Sequence, residues 1–144
     1  MLITFPTNTT EVIDAIRSAI GREVTFYAEY SVPCSACTLD PVTNTSTNSF
    51  CLVCSGEGYV ITYSGTTLTG HVTHYPSEIM QWSTGGQYIE GDCRVQIKYT
   101  PANITVVDTA SYAIIDGKKF DVRKKIMRGF RELNRILIDL IQRQ

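Results

Sequence analysis

Histidine is scarce in this chain of 144 residues, which holds two of them, His71 and His74, beside a single tryptophan. Three positions apart in a strand, the two imidazoles point to opposite faces, so they are read as surface groups and not as a shared metal site. No run of about 18 apolar residues occurs, which excludes a helical membrane span. The opening "MLITFPTNTTEVIDAI" lacks a basic stretch followed by an apolar one, so no secretory signal is expected. Glycosylation is then not expected at Asn8, Asn44 or Asn103. Gly-x-Ser-x-Gly and phosphate-loop patterns are missing. Asp92, Asp108 and Asp116 sit at turn or strand-start positions with no catalytic partner in view. The expectation is a protein that is not an enzyme.

The net charge of −1 conceals a division along the chain. Residues 1–117 carry 4 basic and 11 acidic side chains; residues 118–144 carry 9 basic and 3 acidic. A basic end beside an acidic remainder reads as a solvated basic face, as head-to-tail contact between copies that builds rings or filaments, or as a local patch for nucleic acid. Residues 31–58 contain no Lys or Arg at all.

What the chain does have is cysteine in one place. Cys34, Cys37, Cys51 and Cys54 form two Cys-x-x-Cys pairs separated by the polar loop "TLDPVTNTSTNSF". An odd total of five cysteines without a secretory signal argues against a disulfide framework. Two pairs at this spacing supply four thiolates, the tetrahedral set that structural zinc prefers. Gly56 and Gly58 after the second pair suit a turn that brings backbone N–H groups against sulfur. Four sulfurs fill the coordination shell, leaving no position for water or substrate, so Zn2+ is expected to be structural. The loop has little to bury and needs that ion to offset its ordering entropy. Residues 31–58 therefore read as a zinc-ribbon-like projection inserted into a single domain, whose core comes from residues 1–30 and 59–144.

The rest of the chain is mainly β. Asn8 and Glu11 make a capping-box variant, and Val12, Ile13, Ile16, Ala19 and Ile20 mark a helix over 9–20. "EVTFYAEY" puts Val24, Phe26, Ala28 and Tyr30 on one strand face. "YVITYS" and "TTLTGHV" read as two strands joined near Ser64–Gly65, and "PANITVVDTA" as one helical turn. Cys93, Val95, Ile97 and Tyr99 alternate with polar residues over 92–100, which makes Cys93 a core thiol. Asp116–Gly117 signals a hairpin, and Ile136, Ile138 and Leu140 a final strand. One N-terminal α-helix and six or seven strands give a small β-barrel or sandwich. The long segment 73–91, with Met80, Trp82, Gly85 and Gly86, is a candidate for inter-subunit contact.

The stretch "GGQYIEGDCRVQIKYT … YAIIDGKKFDVRKKIMRGFRELNRILIDLIQRQ" resembles the head-closure (stopper) and head–tail joining proteins in the neck of long-tailed bacteriophages. The shared pattern is a Gly-Asp opening a strand, a strand–Asp-Gly–strand hairpin and a final Arg-bearing apolar strand. It covers roughly residues 60–144; the cysteine knuckles are an addition to it. The resemblance implies a virion protein, made in the host cytoplasm, whose β-barrel forms a homo-oligomeric ring. Such a ring closes the DNA-filled head and joins portal or adaptor to tail proteins. It surrounds packaged DNA without reading its sequence and touches no membrane. In that family a loop reaches toward the channel, and 73–91 is the segment expected to do so here. An adaptor or tail-terminator ring of the same neck is an alternative. A zinc-ribbon nucleic-acid-binding module is another, but it calls for Lys and Arg on the ribbon. "CLVCSGEGY" also resembles one unit of the DnaJ cysteine-rich region, a pattern the first knuckle does not repeat.

Overall fold

The structure is a computed structural model and describes residues 9–74, 80–83, 86–89, 93–130 and 132–143. Six strands close into a barrel in the order β1 (Arg22–Pro33), β2 (Tyr59–His74), β5 (Cys93–Lys98), β8 (Glu132–Gln142), β7 (Lys118–Phe130) and β6 (Ala110–Ile115). A separate two-stranded sheet pairs β3 (Met80–Ser83) with β4 (Gly86–Ile89). Helix α1 spans Thr9–Ile20, and a second helix not expected at this length, α2, spans Pro101–Thr109. Among the described residues no helix is long and apolar enough to cross a membrane. The chain divides into two compact units, Met1–Tyr27 with Gly65–Gln144, and Ala28–Ser64. The smaller unit thus takes in the ends of β1 and β2 as well as residues 31–58.

Alternation builds the barrel interior. Cys93, Val95 and Ile97 of β5 lie opposite Leu140, Ile138 and Ile136 of β8, and all six side chains are buried. Val24 and Phe26 of β1, Ala113 and Ile115 of β6 and Phe120 of β7 join them, with Val107 of α2. Asp116 and Gly117 turn the β6–β7 hairpin, both at positive φ (49° and 76°), as a type I′ turn requires. Arg22 Nη1 donates to Asp116 Oδ2 at 2.7 Å. The barrel closes between β6 and β1, where Tyr112 stacks on Tyr27 with ring centroids 4.9 Å apart, and Lys119 Nζ sits 3.7 Å above Tyr112. Two register shifts in β7, at Val122/Lys124 and Arg128/Gly129, supply the bends a small closed barrel needs.

Several expectations are corrected here. No turn interrupts β2 at Ser64–Gly65; the strand runs 16 residues without a break. A Cβ on Gly65 would lie 2.9 Å from the Tyr27 ring, so this glycine permits close approach within a strand and does not mark its end. "PANITVVDT" is rich in β-branched residues yet helical. Thr100 caps it by accepting from Asn103 N at 3.1 Å, and Pro101 occupies its first turn. Tyr30 shares the alternation of Val24, Phe26 and Ala28 but, unlike them, is exposed. The apolar stripe on α1 is not its buried side: Val12, Ile16 and Ile20 are exposed and Arg17 is buried. Asn8, the expected cap, lies outside the described residues.

Candidate metal centre

Cys34, Cys37, Cys51 and Cys54 come together in the smaller unit, with all four Sγ atoms within 4.8 Å of one another. The first pair follows the end of β1 and the second precedes the start of β2, so the pairing of those two strands delivers both knuckles to one place. Cys34 N donates to Gly58 O at 2.8 Å and ties the knuckles together. Ser55, Gly56 and Gly58 all have positive φ (51°, 88° and 85°), which curls the backbone back toward the Cys54 sulfur. The returns are Gly58 N to Cys54 Sγ at 3.3 Å and, in the first knuckle, Ala36 N to Cys34 Sγ at 3.4 Å. Such N–H bonds stabilise thiolate ligands.

The intervening loop is polar because its side chains fold its own backbone. Asp40 Oδ1 accepts from Val42 N (2.7 Å) and Thr43 N (3.2 Å), and these bonds hold its carboxyl below the ordinary range. Thr38 and Thr47 hydroxyls meet at 2.9 Å, Asn48 N donates to Ser46 Oγ, and Leu39 and Ser46 form a β-bridge. The hydrophobic cluster of this unit is the cysteines themselves: Cys34, Cys51 and Cys54 are buried, with Cys37 and Val60 against them.

The sulfur geometry matches a tetrahedral cage. Two close pairs cross between knuckles, Cys34 to Cys51 at 3.9 Å and Cys37 to Cys54 at 3.5 Å. An ion bound to four thiolates at ~2.3 Å would space them about 3.8 Å apart. A disulfide needs ~2.05 Å, and no cysteine forms one. These four residues can hold a metal ion, and the complete thiolate set leaves no place on a tetrahedral ion for a further ligand.

The metal-free thiols are electrostatically unequal. Burial works against the Cys54 thiolate, but the Gly58 N–H, the Cys37 and Cys51 thiols and the Gly56 N–H outweigh it and bring its pKa down to about 6. For Cys37 the Ser46 hydroxyl favours the thiolate, yet burial and the Cys54 and Cys34 sulfurs outweigh it and push the pKa up to about 12. The cluster thus favours the thiolate at Cys54 and the thiol at Cys37, and a cation that binds all four sulfurs must expel the protons the thiols hold. Metal affinity should therefore rise with pH, at least about tenfold per unit below the ordinary thiol range. Competition with a chelator of known affinity from pH 6 to 8 measures this; an affinity independent of pH would contradict it.

The other expected site residues lie elsewhere. Met80 and Trp82 are on β3, opposite Ile89 and Gln87; Gly86 opens β4 opposite Ser83; and Gly85 lies outside the described residues. Cys93 is a core thiol of the barrel. Sequence reading passed over Phe50, Leu52 and Val53, which surround Cys51. Phe50 is 90% exposed, Leu52 100% and Val53 56%. The signal was available in "SFCLVC", where apolar residues fill the outward positions of a knuckle. No protein-family model matches the chain, and no curated protein matches it in sequence.

Proposed function

We propose that the chain is a structural ring component of the neck of a long-tailed bacteriophage, with zinc in the four-thiolate cage. On this reading the ring closes the DNA-filled head and joins portal or adaptor to the tail, and the protein carries out no catalytic step. The neck assignment rests on the sequence resemblance over residues 60–144, with which a closed barrel is compatible. Zinc is favoured by the all-sulfur donor set and its tetrahedral spacing.

The observation that carries the assembly reading is the surface of the smaller unit. Phe50, Leu52 and Val53 stand in solvent on a knuckle that the metal would hold rigid. A preorganised apolar patch of this kind suits a protein–protein contact. Residues 28–64 contain no Lys, Arg or His but do contain Glu29, Asp40 and Glu57. That composition disfavours nucleic acid, whose phosphates demand cations. The same chain carries exposed Lys118, Arg123 and Lys125 on β7, with exposed Met127 on the same strand. The knuckle of one copy on β7 of the next is a heterologous contact of the ring-forming kind.

Electron microscopy and native mass spectrometry test this. The wild type should form rings, alone or on a portal. The triple variant Phe50→Ser, Leu52→Ser, Val53→Ser should stay folded and shift to monomer. A wild type that is strictly monomeric, never joins a portal and binds oligonucleotides with steep salt dependence would move the assignment to the nucleic-acid reading.

A further inference from the structure

Arg17 of α1 is 5% exposed, and its Nη1 donates to Asp14 Oδ1 at 2.6 Å. Among the described residues its Nε and Nη2 are buried without a hydrogen-bond partner, as is Nε of Arg135 on β8. Buried guanidinium groups rarely go unsatisfied, because each orphaned donor keeps its desolvation cost. Both arginines face one cleft of about 200 Å3, lined also by Ile13, Ile16, His71 and Gln96.

The strand register adds an independent observation. Arg135 lies directly opposite Lys98 on β5 and Arg128 on β7, so three adjacent strands set cations in a row. Like charges in such positions repel. Asp14 offsets part of this, with Lys98 Nζ at 2.9 Å from Oδ2. Burial opposes its ionisation, but the Lys98 and Arg17 bonds outweigh it and hold its pKa down. That carboxylate is committed to Lys98 and to Nη1 of Arg17, so among the described residues the Nε–Nη2 edge is left unpaired. The same edge is filled elsewhere in this chain: Arg94 Nε and Nη2 donate to the two carboxylate oxygens of Asp139 at 2.6 and 3.0 Å.

We propose that the cleft binds an oxyanion, namely a carboxylate on an aliphatic stem. The two oxygens take the Nε–Nη2 fork of Arg17, whose planar donors match a carboxylate bidentately. Arg135 Nε supplies a further donor, and Ile13 and Ile16 line the space for the stem. Inorganic phosphate offers the same kind of oxygens without a stem, and it is the comparison that tests the choice.

The experiment titrates the 15N-labelled full chain with butyrate, inorganic phosphate or chloride at constant ionic strength and pH. Arginine Nε–Hε resonances report the binding. Butyrate should shift those of Arg17 and Arg135 saturably, and more tightly than phosphate. Arg17→Gln and Arg135→Gln should each weaken butyrate binding at least tenfold, whereas Arg143→Gln, which removes the exposed pair with Asp121, should not. Should Arg17→Gln fail to fold, Arg135→Gln and the wild-type titration still decide. Phosphate binding tighter than butyrate would overturn the carboxylate assignment. Shifts that chloride reproduces, or no saturable shift with either anion, would overturn the site.

Discussion

Cys51→Ser should melt the smaller unit, residues 28–64, and spare the rest of the barrel. Three features lead to this. The buried cluster of the smaller unit consists of cysteines plus Val60, so no apolar core remains once the sulfur cage opens. The loop between the knuckles is held by hydroxyl and amide bonds that water can replace. The unit is compact in its own right, as is the barrel, so loss of one need not unfold the other. Hydrogen exchange with and without a strong chelator measures it. Amides of the smaller unit should exchange roughly a hundredfold faster or more in the variant and in the chelated wild type. Those of β5 and β8 should change little. Uniform loss of protection along the whole chain would show that the barrel depends on the cage.

Asp139→Ala should do the opposite and strike the barrel. Arg94 and Asp139 face each other across β5 and β8, on the side of the sheet away from the core residues Val95 and Ile138. Asp139 is 1% exposed, and its partner is nearly as buried. Removing the carboxylate takes away the two hydrogen bonds, at 2.6 and 3.0 Å, that the buried Arg94 guanidinium makes to Asp139. Breaking a buried pair from one side costs roughly 3–5 kcal/mol, a large share of a small domain's stability. Denaturant unfolding followed by a barrel signal should show that loss. The double variant Arg94→Leu with Asp139→Leu should recover much of it, because it buries apolar side chains where the single variant breaks the pair from one side. A change below about 1 kcal/mol in the single variant would mean that water reaches the site.

The parts of this fold that could be read from sequence are those where one local rule decides. Cys-x-x-Cys twice, with glycines after the second, forces knuckles, and these four residues do gather. Asp116–Gly117 demands a turn, and the alternation in β5 and β8 assigns Cys93 and Ile138 to the same interior. What escaped needed a tertiary partner. Gly65 looks like a break until the Tyr27 ring beside it is seen. Arg17 falls within an apolar helix pattern, and nothing local says that it, and not Ile16, is buried, nor that its partner Asp14 reaches Lys98 on a distant strand. The salt bridge of Arg94 is invisible without the β5–β8 register, which separates its residues by 45 positions. Phe50 and Leu52 are ordinary core residue types, and only the cage, by taking over the interior, turns them outward.

X-ray absorption at the metal edge tests the central claim most directly. Protein purified without added metal should carry one zinc per chain, with four sulfur neighbours at about 2.3 Å and no lighter atom in the first shell. A shell holding an exchangeable oxygen beside three or fewer sulfurs, or protein that contains no metal and keeps four freely alkylated thiols, would contradict a closed structural cage.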